Sequence, residues 1–231
     1  MYSRERGEKT YTFEPSGGLL HATLVMQDRE TDTYWSILTD EAIHGADKGE
    51  RLRQLPGSRK TTFGEWKALY PETKVLSVDG KEHVETSPYE NYFSSDDGFR
   101  GIAATDDRLA DKAQIFGFHL GGKAYAVPHS VFDDGGALIE VDGKRLFLYR
   151  LKDDSHYQGT VALMLGKDFR LGKDGGNWSL GTPAGREIRF KPEKRSFGAP
   201  VSVTRPINGF DTFWYQWSLT NPGTEIVDPG S

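Results

Sequence analysis

Three dipeptides constrain this chain more than anything else in it. Asp79-Gly80, Gly121-Gly122 and Asp142-Gly143 each separate two short runs rich in apolar and β-branched residues. A two-residue connection matches the twist of an antiparallel pair when both of its residues take positive φ, and Gly and Asp reach that region at little cost. The spacing therefore predicts hairpins over 75–78 with 82–85, 114–120 with 123–127, and 137–141 with 144–151. Leu146, Phe147, Leu148 and Tyr149 form an unbroken apolar run, as expected of a strand buried on both faces. Further strands are predicted at 11–13 and 19–26 around a Pro15-Ser16-Gly17-Gly18 turn, and at 160–165, 187–190 and 201–204.

Helical signals are few. Thr62 and Glu65 have the spacing of a capping box, which predicts a helix over 63–70 stopped by Pro71. A matching helix is predicted over 212–220, capped by Asp211 or Thr212 and ended before Pro222. The expected fold is mainly β, an α+β chain with few short helices. The 13 Phe, 10 Tyr and 5 Trp supply its apolar mass. A chain of 231 residues can bury roughly 70–75% of its unfolded surface, enough for a substantial core.

The two helical regions resemble each other. Trp66, Pro71 and Thr73 recur as Trp217, Pro222 and Thr224 at one constant offset, with Glu65 matching Gln216 and Val75 matching Ile226. Upstream, Tyr34-Trp35-Ser36 recurs as Asn177-Trp178-Ser179 at a slightly shorter offset. The pattern predicts an internal duplication within a single β-rich domain, with pseudo-repeat halves at 1–112 and 113–231. Trp66 and Trp217 are expected to face the core, whereas Trp35 and Trp178 are expected to reach a surface.

Several function classes are excluded or disfavoured by composition. The net charge of −5, from 29 basic and 34 acidic residues, speaks against nucleic acid as a partner. No apolar run is long enough for a transmembrane helix. The chain has no Cys, hence no thiolate chemistry of its own. Residues 1–8 lack the apolar stretch of a signal peptide.

The segment Leu24 to Ser36, the segment Thr61 to Thr73, Asp106-Asp107-Arg108-Leu109 followed by Gly122-Lys123-Ala124-Tyr125, and the closing Phe213-Trp214-Tyr215-Gln216-Trp217 together resemble the bacterial and archaeal family called domain of unknown function 3179. The resemblance covers nearly the whole chain and implies no assigned activity. Members of that family carry a Cys-Pro-Leu-Cys-like segment just ahead of the position of Tyr2, and many begin with an export or lipoprotein signal. Both are missing here, so an extracytoplasmic location is what the resemblance implies if the natural chain begins further upstream.

Candidate chemistry is sparse. Asp106-Asp107-Arg108 offers carboxylates beside a guanidinium that can fork onto a carboxylate or phosphate. Lys123, in an otherwise apolar strand, is expected either to be a buried cation paired with Asp107 or Asp28 or to lie along a sheet edge. His44, His119 and His129 are the weak candidates for a divalent metal held by two histidines and a carboxylate. No cofactor is predicted and no metal motif is formed by spacing alone. The Gly-rich turns lack Walker spacing, and no Gly-x-Ser-x-Gly elbow occurs. The expected function is a non-enzymatic binding or accessory module, for a small-molecule or protein ligand, with its site between the two halves near Trp35, Asp107, Arg108, Lys123 and Trp178. The alternatives are a metal-assisted hydrolase or redox-related enzyme using His and Asp residues, and a structural or assembly protein.

Overall fold

A computed structural model describes residues 1–55, 58, 60–77, 89–132, 135–151 and 159–228. In chain order the early strands are β1 (Glu5–Arg6), β2 (Lys9–Thr10), β3 (Phe13–Leu20), β4 (Thr23–Asp28), β5 (Tyr34–Ser36) and β6 (Ala42–His44). Helices α1 (Phe63–Leu69) and α2 (Glu90–Ser94) follow. Then come β7 (Gln114–Leu120), β8 (Lys123–Pro128), β9 (Gly136–Val141), β10 (Lys144–Tyr149) and β11 (Val161–Leu165). The last group is β12 (Arg170–Asp174), β13 (Asn177–Gly181), β14 (Glu187–Arg189), β15 (Thr204–Ile207), β16 (Gly209–Phe213), α3 (Trp214–Thr220) and β17 (Glu225–Ile226). The fold is mainly β, with antiparallel sheets and short helices.

The chain divides into two compact units, each assembled from separated stretches. Unit 1 takes 1–58, 98–131 and 206–231; unit 2 takes 59–97 and 132–205. In unit 1, β3-β4-β5-β6 form an antiparallel meander, and a second sheet has the order β16-β7-β8-β17. The β7–β8 turn falls at Gly121-Gly122, with φ of 60° and 83°. Among the described residues, unit 1 contains two apolar clusters. Trp35, Ala42 and Leu52 form one; Ile115, Ala126, Trp214 and Trp217 form the other. Trp217 packs where β7 has Gly117, and a Cβ there would lie 2.5 Å from its ring.

Unit 2 is built on the β9–β10 hairpin, which turns at Asp142-Gly143 with φ of 47° and 66°. β10 pairs with β11 on its other edge, so it is a central strand. Its run Leu146–Tyr149 is buried throughout, as the unbroken apolar pattern requires. The β12-β13-β14 meander contributes Leu180, which joins Phe147, Tyr149, Leu163, Leu165, Phe190 and Phe197 in one cluster.

Helix α1 starts with the expected capping box. Thr62 Oγ1 accepts from Glu65 N at 3.3 Å, and Glu65 Oε2 accepts from Thr62 N at 3.3 Å. The buried Arg195 guanidinium holds this helix start, donating to Glu65 Oε2 at 3.0 Å, Lys60 O at 3.1 Å and Gly159 O at 2.9 Å. Helices α1 and α3 share bonds at matching positions. Thr61 Oγ1 donates to Glu65 Oε2 at 2.9 Å, and Thr212 Oγ1 donates to Gln216 Oε1 at 2.7 Å. The caps Tyr70 and Asn221 each donate N–H to the Trp carbonyl four residues earlier at 2.8 Å.

Four expectations are corrected. Pro15-Ser16-Gly17-Gly18 is a bulge inside β3, since the register shifts between Pro15 and Leu19; the chain reverses at His21-Ala22, both in the left-handed region. Asp211 and Thr212 belong to β16, paired with Phe116 and Ile115, so they do not start a helix; α3 begins at Trp214 with no side-chain cap. The strand placed at 201–204 begins at Thr204, because Val201 to Val203 form a turn whose Val203 N–H bonds Pro200 O. Trp66 is 39% exposed, packing its ring against Tyr70 at a 40° tilt with centroids 4.5 Å apart and donating to Thr73 Oγ1 at 2.9 Å, because α1 buries no residue while α3 buries four. The hairpin expected at Asp79-Gly80 lies outside the described residues.

Candidate functional site

Within unit 1 the strands leave an open cleft of about 810 Å³. Its lining comes from three places: Thr39, Asp40, Glu41 and Arg51 around β6; His119, Gly122, Lys123 and Ala124 at the β7–β8 turn; and Thr220, Asn221, Pro222, Gly223 and Glu225 between α3 and β17. The first wall is fixed by Arg51, which donates to Thr39 O at 2.9 Å, Asp40 Oδ1 at 2.8 Å and Glu41 Oε2 at 2.9 Å. Gln54 Nε2 adds a bond to Asp40 Oδ2 at 3.0 Å. Asp40 adopts φ of 57°, a conformation that Asp tolerates better than most residues.

The cleft's other fixed point is Asn221, the buried C-cap of α3. Its carbonyl accepts from Thr224 N at 3.2 Å and Thr224 Oγ1 at 2.6 Å. Its Nδ2 donates to Trp217 O at 3.3 Å, and its Oδ1 meets His119 Nε2 at 2.8 Å. His119 leans on the Trp217 ring, centroids 5.2 Å apart.

Of the residues singled out from sequence, Lys123 and His119 line this cleft. Lys123 is exposed, and neither Asp28 nor Asp107 is its partner, which corrects the buried-cation alternative. Asp28 is wholly buried and occupied elsewhere, accepting from Trp35 Nε1 at 2.8 Å and Thr31 N at 2.6 Å. Trp35 is itself fully buried on β5, edge-on to Phe13, so it does not reach the surface as expected. The reason is that β5 is an inner strand of its meander. Trp178 occupies the middle strand β13 and lies half-buried on Phe147 at 5.1 Å, with Lys173 Nζ 5.0 Å over its ring. Its Nε1 is buried and finds no hydrogen-bond partner among the described residues. Asp107 is exposed.

Arg108 forks onto Asp106, Nη2 to Oδ2 at 2.6 Å and Nε to Oδ1 at 2.9 Å, and also donates to Thr224 O at 2.8 Å. That hydrogen bond to Arg108 holds the Asp106 carboxyl below the ordinary carboxylate range. The folded-state value being depressed, the pair's contribution is present above the unfolded carboxyl's range and is lost as pH falls through the folded value. With Arg108 46% exposed, Arg108→Ala is expected to cost less than about 1 kcal/mol at neutral pH. Urea midpoints of the variant and the parent should converge in acid; a gap that persists there would place the effect outside the ion pair.

The three histidines end on separate partners. His44 is exposed beside the Tyr34 ring, His119 bonds Asn221, and His129 sits between Asp211 Oδ1 at 2.9 Å and Gln114 Oε1 at 3.3 Å. Among the described residues no three His, Asp or Glu side chains come together as a metal-ligating group. The sequence reading missed Asp40, Glu41, Arg51, Asn221 and Glu225. For Asn221 a local signal existed, an Asn before Pro-Gly at the end of a predicted helix.

No curated protein and no solved structure matches the chain. The family model described as protein of unknown function (DUF3179) matches residues 1–224. With nearly its whole length covered, the chain belongs to the DUF3179 family.

Proposed function

We propose that this protein is a non-enzymatic binding module for a small polar molecule, and that the ligand sits in the cleft of unit 1. The observation that carries the reading is the cleft's lining, where amide, imidazole and charged side chains surround a volume suited to a small ligand. Its walls combine 39–41 and 51 from one proposed sequence half with 119, 122–124, 220–223 and 225 from the other. Several of those polar groups are already fixed by the protein, so the site requires little ordering on binding.

Amide NMR with glycine, glucose, succinate and diaminobutane as probes tests this. At least one probe should shift the resonances of Gly122, Ala124 and Gly223, and Lys123→Ala should change that binding roughly tenfold, about 1.4 kcal/mol, weakening an anionic probe and strengthening a cationic one. Shifts scattered over other surfaces, or none with any probe, would refute the reading. One observation favours a second reading, an assembly protein. Phe63, Trp66, Tyr70, Val75, Leu76 and Tyr89 of unit 2 are all exposed, and a stable oligomer in light scattering would move the weight to it.

A further inference from the structure

We propose that the ligand carries a protonated primary amine and that His119 Nδ1 receives it. The inference rests on the binding-module reading and deepens it. It starts from Asn221, whose amide orientation is set by the protein. Nδ2 must face an acceptor, and it faces Trp217 O at 3.3 Å; Oδ1 is thereby left toward His119 Nε2 at 2.8 Å. An amide oxygen only accepts, so Nε2 carries the hydrogen. In the neutral ring the lone pair is then on Nδ1. No group among the described residues bonds Nδ1. A half-buried imidazole whose tautomer is fixed from behind, on the wall of a cleft, is built to accept a hydrogen bond from something outside the protein.

The surroundings select the donor. The lining holds the carboxylates of Asp40, Glu41 and Glu225 against the cations Arg51 and Lys123. Arg51 is committed to Asp40 and Glu41, whereas Glu225 is exposed on β17 and has no ion pair among the described residues. An ammonium group offers three donors and a positive charge, which suits a neutral imidazole nitrogen together with a carboxylate. A hydroxyl offers one donor and leaves the carboxylate uncompensated. Asn221 acts as a positioning residue, since it reaches the ligand only through the imidazole.

Diaminobutane is the probe, and butanediol, of the same length and uncharged, is its control. Diaminobutane should bind the intact protein and shift the His119 imidazole nitrogens, with affinity at least tenfold above that of the diol. His119→Ala and, as a second variant that keeps an amide-sized side chain, His119→Gln should each weaken binding at least tenfold while thermal melting stays near the parent's. Asn221→Ala should weaken binding and also convert the Nε2–H signature of His119 to a tautomer mixture, a change that loss of packing alone would not produce. Equal binding of diamine and diol would overturn the amine assignment. Undiminished binding to both His119 variants would overturn the role of Nδ1 while leaving the cleft reading standing. No response to diaminobutane, with another probe still shifting Gly122 and Gly223, would overturn the inference alone.

Discussion

Phe147→Ala is expected to destabilise unit 2 by about 3–5 kcal/mol. Phe147 is fully buried at the centre of β10, flanked by β9 and β11. Its ring meets Phe190 edge-on at 5.1 Å, Phe197 at 5.5 Å and Trp178 at 5.1 Å. Those partners are contributed by β13 and the segment after β14, so the cavity left by truncation is bordered by hydrogen-bonded backbone on several sides and cannot collapse easily. Aromatic pairing adds to the area term. Urea unfolding should show the loss as a lower midpoint with an unchanged slope. Trp178 emission should report wetting of the same site. A cost below about 1.5 kcal/mol would mean that the cluster repacks around the gap, and the central role assigned to Phe147 would be wrong.

Gly117→Ala is the second large effect. The added Cβ would lie 2.5 Å from Trp217 Cδ2 and Cε3, far inside the roughly 3.5–4.0 Å of an optimal carbon contact. Trp217 has no retreat, being fully buried among Ile115, Ala126 and Trp214. Overpacking of this kind costs about 1–3 kcal/mol. The displacement also reaches the cleft, because the Asn221 N–H and Nδ2 both bond Trp217 O. The variant should therefore melt earlier and lose the ordered His119–Asn221 bond together, although Gly117 does not line the cleft. Parent-like melting with an unchanged His119 spectrum would contradict this account.

How far the sequence spoke depended on how local the cause was. The turns at Gly121-Gly122 and Asp142-Gly143 and the Thr62–Glu65 capping box were legible because the residues that impose them are adjacent or one helical turn apart. His21-Ala22 carries no turn chemistry; the meander closes there because β3 absorbs its surplus residues as a bulge. Asp211 and Thr212 looked like caps but were taken by pairing with β7, a tertiary preference that outweighs propensity. Lys123 and His119 could be named from their strands, yet the cleft around them could not, since Arg51 and Asn221 arrive from distant stretches. Between α1 and α3, from which the duplication was read, the Thr-to-Glu/Gln bonds and helix caps match, while the burial of Trp66 and Trp217 differs.

The order of synthesis gives the three-stretch construction of unit 1 a consequence for the newborn chain. β7 leaves the ribosome with Ile115 and Phe116 on it, but its neighbour β16 and the helix that covers it are made about ninety residues later. The sheet is completed only when β17 runs parallel to β8 and Val227 N–H reaches Ala126 O at 2.9 Å. Chains emerge N-terminus first, and such long-range pairings form slowly. Unit 2 encodes all its strands before those last residues exist. The stretch that encodes β16 to β17 is thus what shields the β7–β8 hairpin from aggregation, and a premature stop before residue 209 would leave an exposed strand edge for the cell's chaperones to handle.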